Sequence, residues 1–176
     1  RLQPPTPDQP KPRPMSQFRP LPPIQELQQA FDYDPVTGIF RAKYARSNKR
    51  KGDILGSPNN EGYKSMKFHG RLLKCSRVAW FLMTGNDPME RCVDHIDRNP
   101  LNNAFSNLRL ATTAQNQGNK SGKGWSKKGS RYQARISLDG TNVWLGCYET
   151  PEEAHEVYVA KHIEIHGEFS PYCATL

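Results

Sequence analysis

The chain has no apolar run approaching the ~18–20 residues that a membrane-spanning helix needs, so no membrane partner is expected and a soluble protein is the starting point. Apolar residues are scarce throughout. They make up 35% of the 176 residues, against ~45–50% in ordinary globular chains, so cores must be small and part of the chain should have none. The four cysteines, Cys75, Cys92, Cys147 and Cys173, show neither a CxxC pair nor a Cys–His finger spacing. That argues against structural zinc and favours buried thiols in a reducing, intracellular setting, cytoplasm or nucleoid. An organelle would fit if the Arg1 start reflects removal of a targeting peptide. Acid is missing from three long stretches. Arg41–Lys51 holds six basic residues, Lys64–Arg77 five and Lys120–Arg135 six, with no Asp or Glu in any of them.

What is present follows from those gaps. The formal net charge is +8, and acid collects instead in Glu149–Glu168. Basic stretches interleaved with Tyr44, Tyr63, Phe68, Trp125 and Tyr132 suit a polyanion with bases to stack, hence nucleic acid. The first 23 residues contain nine prolines and four basic residues. Such a segment cannot form helix or sheet ladders, and it reads as an extended, polyproline-like tail for a protein or RNA partner to hold.

Three regions result: the tail 1–23, a domain 24–120 and a domain 121–176. In the first domain Ile24, Leu27 and Phe31 sit at helical spacing before the turn Asp34–Gly38, and Ile39–Tyr44 reads as a strand. Tyr63–Phe68 and Arg71–Cys75 form a hairpin about His69-Gly70. Ser76 caps a helix Val78–Met83 that stops at Gly85. Next come a strand Arg91–His95, a polar loop Asp97–Asn103, a strand Asn107–Leu110 and a helix Ala114–Lys120, the last started by the capping-box pattern Thr112–Gln115. After a hinge at Asn119–Lys128, period-2 strands Tyr132–Leu138 and Asn142–Tyr148 flank Asp139-Gly140. A helix Pro151–His166 closes the chain, with Ala154, Val157, Tyr158 and Ile165 on one face. The fold class is α+β.

The stretch "VDHIDRNPLNNAFSNLRLATTAQNQ", Val93–Gln117, carries the chemistry. A helix packed across the two strands would bring Asn116 toward Asp94. One carboxylate and one amide oxygen make a hard, sparse site for Mg²⁺ or Mn²⁺. A neutral His95 beside a phosphate suits deprotonation of water, and Asn107 is expected to steady its ring. Asn99, Asn102 and Asn103 are read as loop-shaping residues. This pattern, with "FDYDPVTGIF", "GDILGS" and "GYKSMKFHGRLLKCSRVAWFLMTG" upstream, resembles the HNH (His-Me finger) endonucleases over about Leu27–Lys120. The resemblance implies a ββα-metal finger with an N-terminal hairpin. In it His95 is the general base, Asn107 its orienting residue, and Asp94 and Asn116 the ligands of one divalent cation. Two departures are Cys75-Ser76-Arg77, where many relatives have His before Arg, and Arg98, where many have Gly.

In the second domain, "RYQARISLDGTNVWLGCYETPEEAHEVYVAKHIEIHGEFS" resembles the AP2 DNA-binding domain over about Lys120–Ser170, with Lys161 where relatives carry a small residue. That implies a three-stranded sheet plus helix, with Lys127, Arg131, Gln133, Arg135 and Trp144 as DNA contacts. Arg41, Lys43, Arg46, Lys49, Arg50, Lys51 and Arg109 are further nucleic-acid candidates. The leading expectation is a metal-dependent endonuclease on double-stranded DNA, similar to phage-encoded homing nucleases, with the AP2-like domain choosing the site. The alternative is a non-catalytic component of a ribonucleoprotein that binds structured RNA.

Overall fold

A computed structural model describes residues 19–45, 49–138 and 140–173. Most of the Pro-rich tail, Arg46 and the Asp139 of the expected turn therefore lie outside the described residues.

The first part of the chain is a set of small antiparallel sheets around two helices. Helix α1 (Ile24–Ala30) follows Pro23 and ends one residue short of Phe31, which opens strand β1 (Phe31–Asp34). The apolar spacing Ile24, Leu27, Phe31 thus crosses a boundary. Leu27 is buried from the helix and Phe31 from the strand, and both enter one core. β1 pairs with β2 (Ile39–Ala42), which pairs with β3 (Ile54–Leu55). A second sheet holds β4 (Ser57–Pro58), β5 (Lys64–Phe68) and β6 (Arg71–Lys74), the last two forming the expected hairpin. Helix α2 (Cys75–Thr84) begins earlier than the sequence suggested. Ser76 lies inside its first turn and does not cap it; Gly85 ends it with φ 73°, the left-handed conformation glycine tolerates. Phe31, Phe40, Phe68, Leu73 and Val78 fill the space between.

Strands β7 (Cys92–His95) and β8 (Leu108–Ala111) form a two-stranded ladder that aligns Asp94 with Arg109 and His95 with Leu108. The loop between them ends in a 3-10 turn, Phe105–Asn107, so Asn107 sits just before the strand it was assigned to. Helix α3 (Thr113–Gly118) starts with the capping box read from the sequence, Thr112 and Gln115 each bonding the other's backbone.

The C-terminal part is a three-stranded antiparallel sheet with a helix against it. β10 (Arg131–Leu138) lies between β9 (Trp125–Lys128) and β11 (Thr141–Tyr148). Helix α4 (Pro151–His166) has Pro151 in its first turn and a second capping box, Thr150 with Glu153. Its buried residues are Ala154, Tyr158 and His162, four apart along one stripe, while Val157 and Ile165 are half-buried. Ala134 and Ile136 are the matching buried positions on β10. No helix among the described residues is long and apolar enough to cross a membrane.

Candidate active site

The ladder β7–β8 ends in a cavity of about 460 Å³ bordered by Asp94, His95, Asn116 and Asn119, with Tyr63 and Arg98 at its sides. Asp94 and His95 are both buried: Asp94 is 5% exposed and His95 4%. Burying them without partners would cost several kcal/mol each, and the structure supplies partners for both.

Asp94 accepts from Arg109 Nε at 2.9 Å on Oδ2 and from Asn119 Nδ2 at 3.0 and 3.1 Å on its two oxygens. The same Asn119 amide donates to the His95 carbonyl at 2.9 Å. Asn119 follows the last residue of α3, so the helix and the strand end are tied at one point. Asn116, half-buried one turn earlier, faces the same cavity. The helix therefore brings Asn116 to the cavity as the sequence suggested, and Asn119 supplies the direct bond to Asp94.

The His95 ring is held differently from the expectation. Its Nε2 lies 3.2 Å from Asn103 Oδ1. A carbonyl oxygen only accepts, so Nε2 carries the ring proton and Nδ1 keeps its lone pair. Asn107 makes no bond to this ring among the described residues. Its amide donates to Asp97 Oδ1 at 2.8 Å and to the Asn102 carbonyl, and its oxygen accepts from the Asp97 N–H. Asn107 sits in the 3-10 turn beneath the loop, where its amide closes the loop instead of reaching the ring. Burial lowers the pKa of His95 against the opposing pull of Asn103 and Asp94, which favours the neutral imidazole. Burial works the other way on Asp97, but bonds from Asn102, the Asn99 N–H and Asn107 hold it below the usual carboxylate range.

Asn103 is itself fixed from the N-terminal hairpin. It is 1% exposed, and its carbonyl accepts from Tyr33 Oη at 2.8 Å. Gly38, in the β1–β2 turn with φ 69°, lies so close that a Cβ there would stand 2.2 Å from the Asn103 carbonyl carbon. Phe105 N–H donates to the Pro35 carbonyl at 2.8 Å, a second clasp between the same two loops. Sequence reading missed Asn103 and Asn119. A faint signal existed for Asn119, which follows Asn116 at i+3 and so shares its helix face; Asn103 had none beyond its residue type.

Residues 74–117 match the HNH endonuclease family. The matched stretch runs from the last residue of β6 to α3 and contains Asp94, His95, Asn103, Asn107, Arg109 and Asn116. An uncharacterized HNH endonuclease of Acanthamoeba polyphaga mimivirus is 40% identical over 99 residues, 53% of this chain and 52% of that protein. Protein 3.8 of Escherichia phage T7 is 29% identical over 104 residues, 53% of this chain and 85% of that protein. The chain thus spans about half the length of the mimivirus relative. No solved structure matches it.

HNH nucleases in general use a divalent metal, and the donors here suit one hard cation. A carboxylate offers about four lone-pair positions. Arg109 and Asn119 occupy both on Asp94 Oδ2 and one on Oδ1, which leaves Oδ1 one position. Asn116 adds an amide oxygen at the same cavity. No cluster of three or more His, Cys, Asp or Glu among the described residues could hold a metal, so a cation held by Asp94 and Asn116 would have to take most of its shell from outside the protein.

The remaining candidates divide between surface and interior. Arg41, Lys43, Lys49, Arg50 and Lys51 are exposed around the β2–β3 connection. Arg109, expected on nucleic acid, instead pairs with Asp94, and its side chain is 16% exposed. Arg131, Gln133 and Arg135 alternate onto one face of β10, with Trp144 opposite Arg135 and 64% exposed. Lys127 does not join them. It pairs in register with Tyr132, on the α4 side of the sheet, and its ammonium lies 5.8 Å from that ring. Lys128, opposite Arg131, takes the outward position, because strand alternation allows only one of two neighbours to face out.

Proposed function

We propose that the chain is a metal-dependent DNA endonuclease of the HNH type whose C-terminal, AP2-like sheet selects the site. The observation that carries the first half is the buried His95, its Nε2 3.2 Å from Asn103 Oδ1, at a cavity that Asp94 and Asn116 also border. Asp94 and Asn116 would hold one Mg²⁺ or Mn²⁺, which when bound offsets charge on the pentacoordinate phosphorus and the departing 3′ oxygen. His95 Nδ1 takes a proton from water; the water oxygen bonds to phosphorus and the P–O3′ bond breaks. Asn119 holds Asp94 and the His95 backbone together, so base and ligand keep a constant separation.

The second half is supported by the outward row Lys128, Arg131, Gln133, Arg135, Trp144, cations and a planar amide suited to phosphates and base edges. Exposed Arg41, Lys43, Lys49, Arg50 and Lys51 would add phosphate contacts, so binding should weaken steeply with salt. Neither the family match nor the relatives favour the ribonucleoprotein reading. The test is cleavage of duplex DNA with Mg²⁺ or Mn²⁺ by wild type and His95→Ala. Cleavage by wild type and its loss in the variant are expected. Undiminished nicking by His95→Ala would overturn the mechanism, and an inert wild type the nuclease reading.

A further inference from the structure

Arg109 has three partners in two parts of the chain. Its Nε donates to Asp94 Oδ2 at 2.9 Å across the β7–β8 ladder. Its Nη1 donates to the Glu168 carbonyl at 2.8 Å, and its guanidinium carbon lies 4.0 Å from the centre of the Phe169 ring. Glu168 and Phe169 belong to the 3-10 turn Gly167–Phe169 that follows α4, and Phe169 is 7% exposed. A guanidinium is a rigid planar fork. A hydrogen bond along one edge and a ring across its face fix its plane, and the remaining Nε–H then points one way only.

A second contact between the same elements has no slack. At Gly118, the last residue of α3, a Cβ would stand 2.5 Å from His166 Nδ1 of α4. The helix bearing Asn116 is thus packed on the end of the same C-terminal helix that leads into the Glu168–Phe169 turn. Both Asp94 partners, Arg109 and Asn119, are reached from that junction.

We infer that Arg109 is a positioning residue set from the C-terminal part: the Glu168 carbonyl and the Phe169 ring fix its guanidinium, which holds the Asp94 carboxylate toward the cavity. The C-terminal part is then a component of the nuclease centre as well as a DNA-reading surface. This rests on the nuclease reading. It also separates Arg109 from the phosphate contacts, since its side chain is only 16% exposed and its Nε and Nη1 already donate within the protein.

The experiment uses the full chain, a supercoiled plasmid with Mg²⁺, and the variants Phe169→Leu, Phe169→Tyr and Arg109→Gln. Phe169→Leu keeps an apolar side chain and loses the ring face. It should lower kcat about tenfold with KM for DNA within about twofold of wild type, while Phe169→Tyr restores the rate. Arg109→Gln should lower kcat about 100-fold, since a buried carboxylate loses its charge partner and its direction. The salt dependence of DNA binding should stay unchanged in all three, whereas loss of a true phosphate contact lowers its slope by about one. A wild-type rate in folded Phe169→Leu, or a salt slope reduced in Arg109→Gln, would overturn the inference. NMR exchange of the Arg109 Nε–H gives a readout independent of cleavage: protected in wild type, fast in Phe169→Leu. Equal exchange in both would also overturn it, even if wild type proved inert and the nuclease reading itself had failed.

Discussion

The cavity at the end of β7–β8 and the outward face of β9–β11 are built on opposite plans. Asp94 and His95 are buried and each has its direction set by other side chains: Asn103 for the His95 ring, Asn119 and Arg109 for Asp94. On the sheet face Lys128, Arg131 and Arg135 are exposed, and the main bond within the row is Arg135 Nη2 to Gln133 Oε1 at 2.6 Å. Chemistry at a phosphate needs groups already oriented, because reorganising them during reaction would add to the barrier. Contact with a flexible polyanion does not, since long side chains can settle as the partner arrives. Changes in the cavity should therefore act steeply on rate and fold, and changes on the sheet mildly and on binding alone.

The sharpest way to break that contrast is at Gly38, which belongs to neither region yet supports one of them. Gly38→Ala would place its Cβ against the Asn103 backbone, which cannot rotate away, at a positive φ that alanine disfavours. Overpacking and backbone strain together should cost about 3 kcal/mol or more, read as a lowered urea midpoint, with cleavage lost alongside. A variant as stable as wild type would mean that the hairpin does not buttress Asn103. Next in size is Asn103→Ala. It frees the His95 ring to adopt either tautomer and leaves Nε2 without its partner, so kcat should fall about 100-fold with KM little changed. A fall in binding without one in kcat would place Asn103 in DNA recognition instead.

Those two residues also mark how far the sequence could be read. The β5–β6 hairpin, the helices and the Thr112–Gln115 capping box were legible because hydrophobic period and turn chemistry are local signals, whereas the Thr150–Glu153 box was missed and β9 lies inside the expected hinge. Asp94 and Asn116 at one cavity were legible too, from their spacing in a motif. Asn103 and Asn107 could not be told apart, because loop path decides which amide reaches the ring, and that path depends on Gly38, Tyr33 and Pro35, some 65–70 positions away in sequence. Lys127 was expected from the AP2 resemblance alone, and strand alternation gives its neighbour Lys128 the outward place instead. A one-residue shift in strand register exchanges the two faces, and β9 carries two adjacent lysines. Arg109 read as a surface cation because nothing local foretells a carbonyl and a ring 59 and 60 positions later.

On the sheet, Arg131→Ala, Arg135→Ala and Trp144→Ala should each leave stability within about 0.5 kcal/mol of wild type. Each arginine change should weaken DNA binding by about 1 kcal/mol and reduce the salt slope by about one. Loss of Trp144 should weaken binding without touching the slope, since stacking carries no net charge. Filter binding across a salt series separates these outcomes. A collapse of stability in any of the three would show that the face is part of the core, against its exposure.

The smallest expected effect lies where the two plans meet. Arg98 borders the cavity but adopts φ 61°, a left-handed conformation that non-glycine residues seldom hold. Its N–H closes a turn onto the His95 carbonyl at 2.9 Å. Replacing it with Gly relieves strain of about 1 kcal/mol, but glycine's looser unfolded chain takes back roughly 0.5–1 kcal/mol. Stability should therefore barely move, and kcat with it, because the turn survives. What changes is charge at the mouth of the cavity: Arg98→Gly should weaken DNA binding and lower its salt slope by about one, the sheet's kind of effect from a cavity residue. A kcat loss as large as that of Asn103→Ala would instead mean that Arg98 acts at the reacting phosphate itself.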